Sequence, residues 1–168
     1  MKVLVTGSDG MVGSNLVNKL QSRGHTVIEF GDDKDILNWD DWCSIEDEDI
    51  ECIIHLAALA GVRPSFDNPE LYYKVNVDGH RNMLEFSETL DDVRVLYASS
   101  SNAYEWWGNP YATTKKMNEI QSEDYQAIGM RFHTIFPGRD DMLFKKLQNG
   151  ECSYINRSHY RDFVHVED

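Results

Sequence analysis

The chain predicts a doubly wound, parallel α/β sheet, and three observations lead there. Short β-branched runs alternate with helical patterns from one end to the other. A glycine-spaced turn joins the first run to the first helix. The run Cys52-Ile53-Ile54-His55-Leu56-Ala57-Ala58 is apolar at nearly every position, as a strand covered on both faces must be. A length of 168 residues suffices for one domain with a real core, so residues 1–168 are expected to form a single unit. Hydrophobic residues are 41% and charged residues 27%, a globular composition. The net charge of −13 argues against a general nucleic-acid or anionic-membrane binder. An anionic ligand would have to be met by local Arg, Lys and helix ends. No run approaches the roughly 20 apolar residues of a membrane span. The first residues run straight into a strand, so we expect no signal peptide and a cytoplasmic location. Cys43, Cys52 and Cys152 are odd in number and lack metal-ligand spacing, which suggests reduced thiols and no metal site.

Taken in order, residues 2–6 make strand one and residues 11–23 helix one, with Met11, Val12, Leu16, Val17 and Leu20 at helical spacing and Gly24 ending it. Between them lies Gly7-Ser8-Asp9-Gly10-Met11-Val12-Gly13. Gly7 permits a tight turn, Gly10 lets the backbone approach a pyrophosphate, and Gly13 lets helix pack on strand. The free N–H groups of the helix start then face the anion. Thr26–Phe30 is strand two. The acidic residues Asp32 and Asp33 follow it, about 20 residues after the turn, where a carboxylate can bind ribose hydroxyls and repel a 2′-phosphate; this favours NAD over NADP. Either one alone could equally be a solvated loop residue.

Residues 35–50 read as irregular and acidic, with Glu46-Asp47-Glu48-Asp49 a solvated run rather than a metal site. His55, inside the central strand, is more often a satisfied core histidine than a catalyst. A loop covers 59–68, and Pro69 opens a helix over about 69–90. Val93–Ala98 is the next strand, followed by Ser99-Ser100-Ser101. A helix is expected over 110–128, a strand over 129–136, a short helix over 140–149 and short strands at 152–155 and 162–166. Tyr111 and Lys115 are four apart, so they share one helix face. An ammonium beside a phenol favours the phenolate and lowers its pKa from about 10, giving a base usable near neutral pH. A serine hydroxyl nearby can orient a substrate oxygen.

At these residues the chain resembles the extended short-chain dehydrogenase/reductases, in particular the NAD-dependent nucleotide-sugar epimerases and dehydratases. The matching stretches are Val5–Gly13, Asp35-Ile36, His55–Ala58, Gly61–Ser65, Tyr73–Gly79, Tyr97–Tyr104, Tyr111–Lys115, Arg131–Phe136 and Arg161–His165. Ala60–Arg63 and Gly138–Met142 look most like UDP-glucuronate 4-epimerases. The resemblance implies an NAD-binding Rossmann form of the sheet, with residues 137–168 the remnant of a truncated substrate-binding part. It implies that Gly7, Gly10, Met11, Val12 and Gly13 hold the pyrophosphate, that Asp35 and Ile36 meet adenine, and that Leu56, Ala57 and Ala58 line the cofactor groove with Asn76 beside it. Ser100 would be the catalytic hydroxyl, Tyr111 the base, and Lys115 its partner on the nicotinamide ribose. Ser100, Ser101, Thr134 and Arg161 would contact a nucleotide-sugar substrate, Arg161 through the diphosphate. Helices 69–90 and 110–128 correspond to those that pair in family homodimers.

The chain departs from the family pattern in places. The ribose-binding Asp of the family aligns with Gly31, so Asp32 or Asp33 must substitute. His133 replaces an aromatic, Glu105 replaces a Gly, and the Glu105–Pro110 connection is short. Ser101 and Asn102 follow Ser100 where the dehydratase branch has Asp and Glu, which favours epimerisation. The expected reaction is therefore reversible oxidation at the sugar C4 through a 4-keto sugar. A nucleotide-sugar dehydrogenase or reductase, or an NAD-binding module without catalysis, are the alternatives.

Overall fold

Val3 and Val5 face one side of their strand and Leu4 the other, and each is 2% exposed or less. That alternation gives the molecule a core on both faces of one sheet. The computed structural model describes residues 1–45, 49–137, 143–151 and 162–168. These fall into two compact units, Met1–Arg131 and Phe132–Asp168.

The first unit carries a five-stranded sheet made of β1 (Lys2–Thr6), β2 (Thr26–Phe30), β3 (Cys52–His55), β4 (Arg94–Ser100) and β5 (Ile128–Phe132), in the order β2-β1-β3-β4-β5. β1 pairs in parallel with β2 and with β3, and β3 in parallel with β4; Val5 lies opposite Glu29 on one side and Ile54 on the other. The chain reverses its direction of travel across the sheet between β1 and β3. Open parallel sheets bind ligands at the carboxyl ends of their strands beside such a switch. The predicted fold class is thus the observed one.

Helix α1 (Met11–Ser22) covers one face, where Val3, Val5, Val17 and Cys52 are buried with Leu16, Leu20, Val27, Ile54, Leu56 and Leu96 against them. The other face is larger, holding Leu4, Phe30, Ile53, Met83, Leu84, Phe86 and Val95. It also holds a surprise from the acidic stretch expected to be irregular. Asn38 accepts a hydrogen bond from the Asp40 N–H and starts a short helix, α2 (Trp39–Cys43). Trp42 is fully buried on it, its ring 4.6 Å from that of Phe30 and 5.1 Å from that of Phe86, with the indole N–H donating to the Ile36 carbonyl at 3.0 Å. Ile36, Ile45 and Ile50 complete this plug. Residues 46–48 of the acidic run lie outside the described residues.

Several boundaries differ from expectation. The loop after β3 contains α3 (Val62–Asp67). The helix over 69–90 is three pieces, α4 (Pro69–Tyr73), a π turn (Lys74–Asp78) and α5 (Gly79–Ser87). α6 runs Pro110–Gln121, tightens into a 3₁₀ turn to Tyr125 and ends on Gln126 in the left-handed region (φ 52). A further 3₁₀ segment, Ser101–Gly108, leads from β4 toward α6.

In the second unit the strand expected over 129–136 breaks at His133: β6 is Thr134–Phe136 and pairs in parallel with β7 (Phe163–His165). The short helix α7 spans Leu143–Gln148. The strand expected at 152–155 and the motif 138–142 lie outside the described residues.

Candidate active site

The glycine turn is built by contacts that leave no room for a side chain. Gly7 has φ +67, and a Cβ there would meet the Ala57 backbone at 2.9 to 3.0 Å. A Cβ on Gly13 would collide with the Gly7 carbonyl oxygen. The helix and the end of β3 therefore both close on the same turn. Thr6 ties this together: its Oγ1 accepts from the Leu56 and Ala57 N–H groups, each at 3.2 Å, and lies 2.7 Å from His55 Nδ1. With both acceptor positions used, the hydroxyl donates to His55, which is then the tautomer protonated on Nε2. Burial holds His55 well below its ordinary pKa, with neighbouring His80 and Lys115 adding to the effect. His55 is a core residue, as its sequence context suggested.

The start of α1 is left open. Asn38, Asn68 and Asn109 each cap α2, α4 and α6 with a side-chain oxygen, whereas α1 opens on Gly10 with no side-chain cap. The first-turn N–H groups at Met11, Val12 and Gly13 stay available for an anion. At the end of β2, Asp33 pairs with Lys34, which lowers its pKa, while the Asp32 N–H donates to Asp9 Oδ2 at 2.6 Å. The place a side chain at Gly31 would fill is taken by Asp9 Oδ2, with Ser8 Oγ next to it. Ser8 is 2% exposed, and its hydroxyl has no hydrogen-bond partner among the described residues.

Two of the expected groove residues, Ile36 and Asn76, have buried side chains. Ile36 packs its side chain against Gly79 in the core, and Asp35 is exposed, its Oδ1 accepting from the Leu37 N–H. Asn76, at the centre of the π turn, is 1% exposed. Its Oδ1 accepts from the Leu59 N–H at 2.8 Å, and its Nδ2 donates to the Leu59 carbonyl and to Thr114 Oγ1, each at 3.0 Å. Asn76 thus pins the segment after β3 to α6. Leu56, Ala57 and Ala58 are half-buried at the end of β3, next to the turn.

The second centre lies between β4 and α6. Ser100 ends β4, buried, its Oγ accepting from the Asn102 N–H and Nδ2 at 3.2 Å each; Ser101 follows, half-buried. Pro110 sets the first turn of α6, and Tyr111 stands in that turn, half-buried and edge-on to the Tyr72 ring at 6.4 Å. One turn on, Lys115 is 4% exposed and donates from Nζ to the Ala98 carbonyl at 2.8 Å. Burial lowers its pKa to about 8, so it is still mainly ammonium at pH 7. Around it sit His80, lowered to about 3 by burial and then by Lys115, and the Tyr97 ring 4.8 Å from His80. Glu119, lower on α6, accepts a fork from Arg131 at 2.7 Å twice and the Ser99 hydroxyl at 2.7 Å, which holds its pKa at about 2. Arg131 in turn lies 4.3 Å over the Tyr104 ring. The lower half of α6 is thereby locked to β4 and β5.

In the second unit, Thr134 opens β6, with its N–H donating to the Asp162 carbonyl at 3.3 Å. Arg161 lies outside the described residues.

The NAD dependent epimerase/dehydratase family matches residues 3–168 of the chain. Protein CapI of Staphylococcus aureus is 32% identical, with 100% of this chain covering 66% of CapI. A probable UDP-glucuronate 4-epimerase of Rhizobium meliloti is 29% identical, with 100% of this chain covering 65% of it. Among solved structures, MoeE5 in complex with UDP-glucose and NAD superposes with a TM-score of 0.82 at 29% identity, covering 99% of this chain and 68% of MoeE5. The chain thus spans about two thirds of the length of these proteins. The CapI alignment also spreads the 168 residues over 222 positions, so at least 54 positions (222 less 168) have no counterpart here.

Proposed function

The chain belongs to the NAD-dependent epimerase/dehydratase family, and on that premise we propose that it is a compact nucleotide-sugar 4-epimerase acting on UDP-sugars. The observation that carries this reading is Lys115, a buried ammonium held to the carbonyl two residues before Ser100 and one helical turn from Tyr111. Cofactor binding alone does not require a charge buried there, whereas a phenol that must lose its proton near pH 7 gains from one.

NAD is the cofactor of the family, and the described residues fit it: an uncapped helix start, a turn that admits no Cβ, and an orphaned buried hydroxyl at its rim. When bound, it supplies a reversible hydride acceptor. Tyr111 takes the proton of the sugar 4-hydroxyl as that carbon is oxidised, and returns it once the 4-keto sugar has presented its other face. Ser100 donates to the same oxygen and orients it. Lys115 stabilises the phenolate and offers its remaining N–H groups to the nicotinamide ribose. Thr134 and Arg161 are assigned to the nucleotide-sugar. The second unit is assigned to the substrate-binding part. Leu71 and Tyr73 on α4 and Ile120 on α6 are exposed apolar side chains, which supports a homodimer through these helices.

Incubation with NAD⁺ and UDP-glucose or UDP-glucuronate tests the reading. Formation of the 4-epimer without net NADH is the expected result. Accumulating NADH would make the chain a dehydrogenase, and NADH binding without any turnover would make it a binding module. Tyr111→Phe should reduce turnover by at least 100-fold and leave NADH binding unchanged.

A further inference from the structure

We propose that Asp9, inside the glycine turn, supplies the carboxylate that holds the adenosine ribose of the cofactor and excludes a 2′-phosphate. The inference rests on the cofactor assignment above and deepens it. In dinucleotide-binding sheets this carboxylate stands at the end of the second strand, about 20 residues after the turn. Here the residue directly after β2 is Gly31, which has no side chain.

The structure shows what fills the gap. A Cβ built on Gly31 would overlap Asp9 Oδ2, and Ser8 Oγ would be 2.8 Å from it. The Asp9 carboxylate therefore occupies the space into which a side chain at the end of β2 would project. It is fixed there, because Oδ2 accepts the Asp32 N–H at 2.6 Å. A carboxylate has about four acceptor positions, so others remain for a pair of vicinal hydroxyls. Beside it is Ser8, 2% exposed, with a hydroxyl that has no partner among the described residues. A bound ribose edge would supply that partner. Of the two residues expected from sequence to do this work, Asp33 is paired with Lys34, and Asp32 is exposed with its backbone N–H donated to Asp9.

The consequence is a carboxylate moved from one strand end to the neighbouring loop, with its place in space kept. It also makes positions 9 and 31 mutually exclusive. Any side chain at 31 must push the Asp9 carboxylate aside.

Binding of NADH and NADPH, followed by nicotinamide fluorescence on the full chain, tests this without any turnover. The unaltered protein should bind NADH far more tightly than NADPH. Asp9→Ala should weaken NADH by roughly 10- to 100-fold, the scale of hydrogen bonds to a charged acceptor, and leave NADPH no weaker. Gly31→Ala, which keeps Asp9 but displaces its carboxylate, should weaken NADH likewise. The double variant Asp9→Ala/Gly31→Asp should recover NADH binding, and the circular dichroism and melting of Asp9→Ala should match the parent, showing that the single variant is folded. Asp32→Asn and Asp33→Asn should bind as the parent does. Unchanged NADH affinity in Asp9→Ala, or a loss confined to Asp32→Asn or Asp33→Asn, overturns the assignment. A parent chain that binds neither dinucleotide overturns the cofactor reading itself, and this proposal with it.

Discussion

The two halves of the site are made in opposite ways. Around Gly7, Gly13 and Gly31 the construction is steric: backbone meets backbone at Gly7 and Gly13, the Asp9 side chain meets Gly31, and the site exists because Cβ atoms are missing. Between β4 and α6 it is electrostatic: Lys115, His80, His55 and Glu119 are enclosed, and their proton affinities move because water has been removed or a partner supplied. At its glycines the first kind does not tolerate added volume. The second tolerates modest changes of volume and not of charge or pH.

Acid should separate the two most strongly. His55 and His80 are held neutral in the fold while the unfolded chain protonates both below about 6.5, so stability falls as pH drops through that value. For His80, whose folded value is about 3, this amounts to about 2 kcal/mol at pH 5, and His55 adds to the loss in the same direction. Denaturant titrations at pH 7 and pH 5 measure it, and His80→Gln should reduce the loss by about 2 kcal/mol. Next in size is Gly13→Ala. Its new methyl would collide with the Gly7 carbonyl, at a cost of about 3 kcal/mol that should not vary between these pH values.

Glu119→Gln should cost about 2 kcal/mol at neutral pH by stranding Arg131. Because the folded carboxyl titrates at about 2 and its reference value is 4.5, this contribution is complete above pH 4.5 and lost on the way down to 2. The smallest effect has the opposite sign. Lys115→Met removes an ammonium whose burial costs roughly 3 kcal/mol and strands the Ala98 carbonyl at about 1 to 2, a net gain near 1 kcal/mol at pH 7. In the parent chain, stability should rise as pH climbs from 8 to 10.5, and in the variant this rise should vanish. A higher melting temperature together with lost turnover would separate Lys115's catalytic role from any structural one.

The steric half was the more legible in sequence. Gly7, Gly10 and Gly13 announce a requirement that spacing alone expresses, and the alternation Val3-Leu4-Val5 and the apolar run 52–58 order the sheet around them. Tyr111 and Lys115 were legible as a shared helix face, but the depressed pKa of Lys115 depends on what β4 and α5 bring against it. Trp42 was missed because a tryptophan among Asp40, Asp41 and Glu46 carries no periodic signal; only Phe30 and Phe86, distant in sequence, make it core. The break in the helix over 69–90 was equally silent, since the π turn serves Asn76 and its long-range bonds to Leu59 and Thr114. Asp32 and Asp33 looked right by distance along the chain. The Asp9 carboxylate lies in the space a side chain at Gly31 would fill, which no count of residues reveals.

The reciprocity of positions 9 and 31 bears on ancestry. A chain with the acid at 31 and a small residue at 9 cannot reach this arrangement in one step: one order of substitutions passes through a sequence with no carboxylate in this space, the other through one with two crowded anions. Such strongly epistatic pairs change together or not at all. A lineage that has crossed is held on its side, and a glycine following the second strand would mark its descendants.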